Sequence, residues 1–168
     1  MLTTARLSLK PQVQADAPGL LRILGDAEAM RFWNRPPITD LAVVEGLVEE
    51  QQAAMASGLC RYWTLWERGD AIGSIDLSLI ENQSAELGFL VRRDRWGLGL
   101  ASEAAGAVVA HAFGALGLER LAAGTDAGNG AARRVLEKCG FALADERPAR
   151  LAGGTVNDCA FYLLRRSD

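Results

Sequence analysis

Residues 87–102, LGFLVRRDRWGLGLAS, hold the densest chemistry in the chain. The run reads as the end of an apolar strand, a basic turn, a glycine-spaced loop and the start of a helix. A helix start leaves backbone N–H groups without intrahelical partners and carries partial positive charge, so it is a ready anion site. Gly97 and Gly99 lack a Cβ, which lets a bulky anion reach the backbone. Arg92, Arg93 and Arg95 add formal charge at the same end. Together these features describe a pyrophosphate cradle over Trp96, Gly97, Leu98, Gly99, Leu100, Ala101 and Ser102. The plain alternative is a tight strand-to-helix turn with solvated arginines, and glycine spacing alone does not separate the two. A dinucleotide fingerprint is a third reading, with Glu119 about twenty positions on as its ribose contact. Against it, Ser102 stands at the last fingerprint position, and the motif follows an antiparallel meander rather than opening a parallel strand–helix–strand unit.

The elements that must position this loop follow from periodicity. Leu7 and Leu9 alternate with polar residues in a first strand that Pro11 ends. Asp16 is placed to cap a helix over residues 17–26, and Thr39 to cap a second running to Ser57. Strands over 61–67, 71–80 and 85–91 form a meander through turns at 68–70 and 82–83. Leu87, Phe89 and Val91 share one face of the last strand, with Glu86, Gly88 and Leu90 on the other. A helix over 99–116 is apolar nearly all round, which predicts burial on most of its faces. A strand over 118–125 and a helix over 130–139 follow, the helix capped by Asn129 and ended by Gly140. Strands over 141–145 and 159–164 enclose a turn-rich segment at 148–154. The pattern is an α/β (α+β) chain, a mixed and mostly antiparallel sheet of about seven strands flanked by about four helices.

Composition narrows the classes. At 168 residues with 49% apolar and 23% charged side chains, the chain reads as one globular domain over 1–168. A net charge of −3 argues against a general nucleic-acid binder. Cys60, Cys139 and Cys159, with the lone His111, lack metal-ligand spacing, which predicts no metal site and suits a reducing compartment. The N-terminus has no apolar signal core and no apolar run spans a bilayer, so the expectation is a cytoplasmic protein without membrane contact.

Residues 128–141, GNGAARRVLEKCGF, taken with the glycine loop, resemble the GNAT superfamily of acyl-CoA N-acyltransferases, and within it the RimJ/RimL-like group. The family loop, Gln/Arg-x-x-Gly-x-Gly/Ala, falls on Trp96, Gly99 and Ala101. Trp96 departs from the superfamily pattern but matches the Trp-Gly-x-Gly-x-Ala-(Ser/Thr)-Glu-Ala variant of the group. The resemblance extends to the opening TARLSLK segment at 4–10, to AELGF at 85–89 and to the closing Gly154 and Asp158. It implies the GNAT fold and acetyl-CoA as co-substrate, held by the loop amides and by the Asn129 side chain at the pantetheine arm. It also implies that backbone N–H groups of Phe89, Leu90 and Val91 polarise the thioester carbonyl. Glu86, on that same strand, is then the candidate proton acceptor for an ammonium substrate.

The same resemblance exposes two departures. The tyrosine that many members use to protonate the leaving thiolate is Leu136 here, and the serine common in the RimJ/RimL-like group is Ala132. Ser102 or solvent is left for that role. Cys139 falls on an apolar helical stripe and His111 within the alanine-rich helix, which reads as packing for both. Trp33, Asn34 and Arg35 match a region that shapes the acceptor pocket. The implied activity is direct acetyl transfer to a primary amine, of a small molecule or a protein N-terminus, in a monomer or homodimer without metal. A non-catalytic acyl-CoA-binding protein is the contrasting expectation, motivated by the missing acids.

Overall fold

The computed structural model describes residues 1–33, 36–150 and 155–166. In chain order the elements are β1 (Leu2–Thr3), β2 (Ser8–Pro11), α1 (Ala17–Leu24), α2 (Leu41–Ala56), β3 (Arg61–Glu67), β4 (Asp70–Glu81) and β5 (Ser84–Val91). Then come α3 (Leu100–Gly114), β6 (Arg120–Asp126), α4 (Gly130–Lys138), β7 (Ala142–Arg150) and β8 (Val156–Arg165). The strands form one eight-stranded sheet in the order β1-β2-β3-β4-β5-β6-β8-β7. Only β5 and β6 run parallel; every other neighbouring pair is antiparallel.

The meander is set by turn chemistry. Arg68 and Gly69 take φ of 50° and 84°, and Asn82 and Gln83 take 49° and 59°. Left-handed residues at both central positions are what a tight two-residue hairpin requires, because that turn matches the twist of the strands. One extra residue enters β4 between Ser78 and Glu81, with Leu79 at φ 51°. This bulge ends the regular pairing at the hairpin end of β4 and β5.

The sheet is buried on both faces. One face, with Leu9, Leu65, Ile75, Leu77, Leu87 and Leu121, packs on α3 through Leu100, Ala104, Ala105 and Val108. The small side chains of α3 let it lie close to the sheet, which explains its lack of a polar side. The other face carries α1 and α2, whose Leu20, Ile23, Val44 and Val48 pack with Leu90 of β5. β5 therefore has one side chain set in each layer, Leu87 below and Leu90 above.

The eight-stranded sheet agrees with the expected mixed sheet of about seven strands, the additional strand being Leu2–Thr3, which pairs with β2. Other expectations are corrected. Asp40, not Thr39, caps α2: its carboxylate accepts from Ala42 N at 2.9 Å. Asp16 makes no capping bond to α1; its carboxylate instead accepts from Val13 N and from Thr64 Oγ1 at 2.6 Å, tying α1 to β3. β7 runs on to Arg150 through a segment expected to turn, and Pro148 is accommodated because β7 is an edge strand with one side free of a partner. The rest of that segment, 151–154, lies outside the described residues.

Gly73 is fixed by packing. A Cβ there would lie 2.5 Å from the Leu90 carbonyl oxygen and 3.2 Å from Val91 Cα. Gly73→Ala must therefore push β4 from β5, and chemical denaturation should show a loss of about 1–3 kcal/mol. An unchanged midpoint would mean that the two strands separate freely.

Candidate functional site

The site is built where β5 and β6 part. They pair only through Ser84, Ala85 and Glu86 against Arg120, Leu121 and Ala122. Beyond Glu86 neither strand has the other as a partner, and a wedge opens between them. Arg92 N donates to Ile72 O at 2.7 Å. Since antiparallel backbone groups alternate in direction, Leu90 and Gly88 also face β4, while Phe89 and Val91 direct theirs into the wedge. Trp96 Nε1 confirms this direction by donating to Val91 O at 2.7 Å. The indole satisfies one orphaned carbonyl and fixes the loop to the end of β5. The N–H groups of Phe89 and Val91 remain on the open edge.

The glycine loop stands beside that edge. Residues Arg93–Arg95 form a 3-10 turn, Gly97 and Gly99 take φ of 75° and 77°, and Gly99 is the N-cap of α3. Among the described residues, the N–H groups from Gly97 to Ser102 have no hydrogen-bond acceptor, whereas Glu103 N already donates to Gly99 O at 3.0 Å. A Cβ at Gly97 would meet nothing within 4 Å, and one at Gly99 only Arg6 Nη2 at 3.7 Å. The loop is an open row of donors at a helix start, the geometry an anion needs.

The arginines of this loop do not extend the row. Arg92 binds Asp70 and Asp94, and Arg95 binds Glu67 and Asp94. Their charge is spent on holding the turn. Arg93 is exposed and lies 3.6 Å from Asp26.

A clamp outside the motif does more. Glu103, in the first turn of α3, accepts from Thr4 Oγ1 at 2.6 Å, Arg6 N at 2.8 Å and Arg6 Nε at 2.7 Å. Arg6 Nη1 also donates to Leu98 O at 2.8 Å. The N-terminal segment thus grips both the loop and its helix. Although burial opposes ionisation, the bonds from Thr4 and Arg6 hold the Glu103 carboxyl below its ordinary range. Sequence reasoning singled out both segments but not their contact, because the partners are 97 residues apart.

The far wall of the wedge is β6 and the start of α4. Asn129 caps α4 by accepting from Ala132 N at 3.1 Å. Arg133 ties the turn down, donating to Ala127 O at 3.0 Å and to the hydroxyl of buried Tyr162 at 3.0 Å, and pairing with Glu146. Off the end of β6 lies a depression of about 530 Å³ lined by Asp126, Gly128, Pro148, Asn157 and Asp158 among others. Phe32, from the connection between α1 and α2, reaches the same end.

Glu86 is exposed on the face of the sheet that carries α1 and α2, beside the point where the wedge opens. Asp76, on β4, lies on the same face opposite Gly88, and Tyr62 stands opposite Asp76 on β3. Burial, with a smaller push from Glu86, raises the Asp76 carboxyl to about 7. Burial and the neighbouring Asp76 and Cys60 raise the Tyr62 phenol to about 12. Neither Asp76 nor Tyr62 carries any signal in the sequence beyond strand alternation.

The profile of the Acetyltransferase (GNAT) domain matches residues 6–142. The chain belongs to the GNAT acetyltransferase family. It is 28% identical over 173 residues to the N-acetyltransferase p20 of Bacillus licheniformis, covering 98% of this chain and 96% of that one. Its fold is similar to that of RimL, a ribosomal L7/L12 alpha-N-protein acetyltransferase solved with coenzyme A (TM-score 0.85, 17% identity, 96% and 95% of the two chains). It is also similar to a spermidine N-acetyltransferase from Vibrio cholerae solved with CoA and spermine (TM-score 0.82, 18% identity, 96% of each chain).

In this GNAT acetyltransferase the side chains weighed as acids or nucleophiles are mostly packed away. Leu136, where the resemblance puts a tyrosine, is fully buried beneath α4 in the main core. Cys139 is partly buried against that core, its Sγ 3.7 Å from Ser102 O, and burial raises its thiol. His111 packs edge-on to Trp63 with centroids 5.9 Å apart, and burial lowers it. Trp33 is partly buried against the cluster of α1 and α2, and Asn34 and Arg35 lie outside the described residues.

The clamp gives a pH signature. Glu103 is depressed in the folded protein, so its contribution is present above its ordinary value of 4.5 and lost as pH falls through the lower folded value. Glu103→Gln should therefore cost stability at pH 7, with the difference from wild type shrinking as the solution is acidified. A difference that stays constant down to pH about 3 would show that the carboxylate charge contributes nothing.

Proposed function

We propose that this acetyltransferase moves the acetyl group of acetyl-CoA directly to a primary amine within a ternary complex. The observation that carries the reading is the parting of β5 and β6 beside an unsatisfied row of loop amides. The amides of Gly97, Leu98, Gly99, Leu100, Ala101 and Ser102 suit the pyrophosphate, and Trp96 braces them. The pantetheine arm then runs into the wedge past Asn129. There the N–H groups of Phe89 and Val91 face the thioester carbonyl, where a preorganised donor stabilises the oxyanion as it develops. Leu90 contributes no wedge-facing amide and instead anchors β5 to α1 and α2.

Glu86 accepts the proton of the acceptor ammonium, directly or through water, because a protonated amine has no lone pair for attack. The thiolate leaves without a tyrosine or serine acid; with a thiol pKa of about 8.5 it takes its proton from Ser102 or from solvent. No step calls for a metal, and the described residues contain no group of three or more His, Cys, Asp or Glu side chains that could hold one. The acidic surroundings of the cleft, Asp76, Glu86, Asp126 and Asp158, suit a cationic acceptor. A protein N-terminus and a polyamine, the acceptors named by the two structural relatives, both belong to that class. No described helix is long and apolar enough to cross a membrane, and a cytoplasmic monomer or homodimer, with no nucleic-acid partner, completes the reading.

The second reading, an acyl-CoA-binding protein without turnover, is favoured by one observation: Leu136 is sealed in the core, so α4 presents no acid. Thiol release with acetyl-CoA and a panel of spermidine, kanamycin, free amino acids and a peptide with a free N-terminus decides between them.

Acetyl-CoA at about 100 times its dissociation constant should add about 2.7 kcal/mol of stability, a rise of roughly 5–10 °C in melting temperature. Gly99→Val should abolish that rise while keeping the fold, since a β-branched residue resists the positive φ that aims the loop amides. A folded Gly99→Val protein with full acetyl-CoA affinity would remove the cradle. Glu86→Gln should lower turnover by roughly 10²–10⁴ with acetyl-CoA affinity unchanged, and partial recovery at high pH. Turnover equal to wild type across the pH range would leave Glu86 as a surface residue.

A further inference from the structure

Register places a second carboxylate, Asp76, opposite Gly88, further along β5 in the direction in which the wedge opens than Glu86. Asp76 pairs with Gly88, and Glu86 with Ser78, so Asp76 and Glu86 are diagonal neighbours across β4 and β5 on one face. Such neighbours have Cβ atoms within roughly 7–8 Å. The absence of a side chain at Gly88 is what seats Asp76: a Cβ there would lie 2.7 Å from Asp76 Oδ1. The carboxylate therefore lies against β5 at Gly88. That residue immediately precedes Phe89, whose amide faces the wedge, and lies beyond the last residue paired to β6.

Among the described residues, no cation acts on Asp76. Tyr62 faces Asp76 from β3, Ser78 bonds to it from its own strand, and Glu86 acts on it from β5. α1 and α2 cover this face with Leu20, Ile23, Val44 and Val48, and neither helix contributes a charge that acts on Asp76. Arg120 and Arg165 share the face only at the far end, beside Ser84. Burying a carboxylate without a cation is costly unless a cation arrives from outside. The acceptor ammonium is such a cation.

We propose that Asp76 and Glu86 act as one carboxylate pair that holds the acceptor ammonium and takes its proton, a refinement that rests on the acetyl-transfer reading above. The pair removes one proton from R–NH3+. The freed lone pair forms the C–N bond, and the C–S bond breaks as the tetrahedral intermediate collapses. The nitrogen gives up a second proton, the thiolate gains one, and the pair returns its own to solvent through exposed Glu86. Burial and the neighbouring Glu86 charge hold the inner member, Asp76, at about 7, so it stays part-protonated near neutrality until the ammonium enters. The Tyr62 phenol, raised to about 12 by burial and by the neighbouring Asp76 and Cys60, keeps its proton throughout.

The test uses the full chain with the amine that the panel selects. Asp76→Asn should lower kcat by roughly 10²–10⁴, leave acetyl-CoA affinity unchanged and move the acid limb of the rate profile downward. The Asp76→Asn/Glu86→Gln double variant should be no slower than the slower single variant, because residues that act as a unit are not additive. Gly88→Ala, which displaces the Asp76 carboxylate while leaving Glu86 intact, should reproduce part of the loss. Asp76→Asn should also melt no lower than wild type at pH 8: the raised folded value favours the neutral form, and that advantage fades as pH rises through about 7. Carboxyl 13C NMR of the free protein should show a titration near 7 that vanishes in Asp76→Asn and moves down in Glu86→Gln.

Near-normal kcat in Asp76→Asn overturns the pair and leaves Glu86 acting alone. Additive losses in the double variant overturn it as well. If no amine in the panel is acetylated, the transfer reading fails. The pair is then judged by the NMR titration alone, and an Asp76 midpoint indifferent to Glu86→Gln rejects it.

Discussion

Everything in the cleft depends on one interruption: β5 and β6 cease to pair after Glu86 and Ala122. A parallel pair normally satisfies its backbone groups along its whole length. Here the residues beyond the break keep N–H groups that face open space, at the edge of a sheet whose two faces are otherwise sealed by helices. The break is held open from both sides. Trp96 pins the loop to Val91, and Arg133 ties the β6–α4 turn to Tyr162. Because α3 and α4 both begin at this end of the sheet, two helix N-termini converge on the opening.

The loop shows how little formal charge such a site needs. Arg92 and Arg95 sit beside the cradle yet are neutralised by Asp70, Asp94 and Glu67. What remains free is a row of neutral amides whose direction is fixed by two left-handed glycines. Fixed dipoles cost no reorganisation when an anion arrives, whereas long charged side chains must first be ordered. The one charge pair that matters to the loop, Arg6 with Glu103, acts as a buttress.

The face of β4 and β5 beneath α1 and α2 works in the opposite way. No cation among the described residues acts on Asp76, and Glu86 adds a like charge at the same edge. Seating a carboxylate in this manner costs stability that a neutral residue would not. The sealed position of Leu136 fits the same division of labour. α4 serves as packing and as the support of Asn129.

Much of this was legible in the residues. Hairpin turns, the glycine loop, the Asn129 cap and the apolar α3 are local properties, written in spacing and side-chain type. They determined the order of elements, the mixed sheet and the glycine-spaced turn into α3. Where competing caps stood side by side, as with Thr39 and Asp40, local preference could not choose between them. The short β1 escaped notice because two residues carry no period.

What only the tertiary structure decided were the contacts between distant strands and the direction of individual groups. Whether Arg92 is a ligand or a strut depends on where Asp70 lies. Whether Asp76 is a surface acid or a desolvated one depends on its register with Gly88 and Tyr62. The grip of Thr4 and Arg6 on Glu103 joins segments that no periodicity connects. Sequence determines what each residue is able to do; folding alone decides which groups are left unsatisfied, and in this protein the unsatisfied groups make the site.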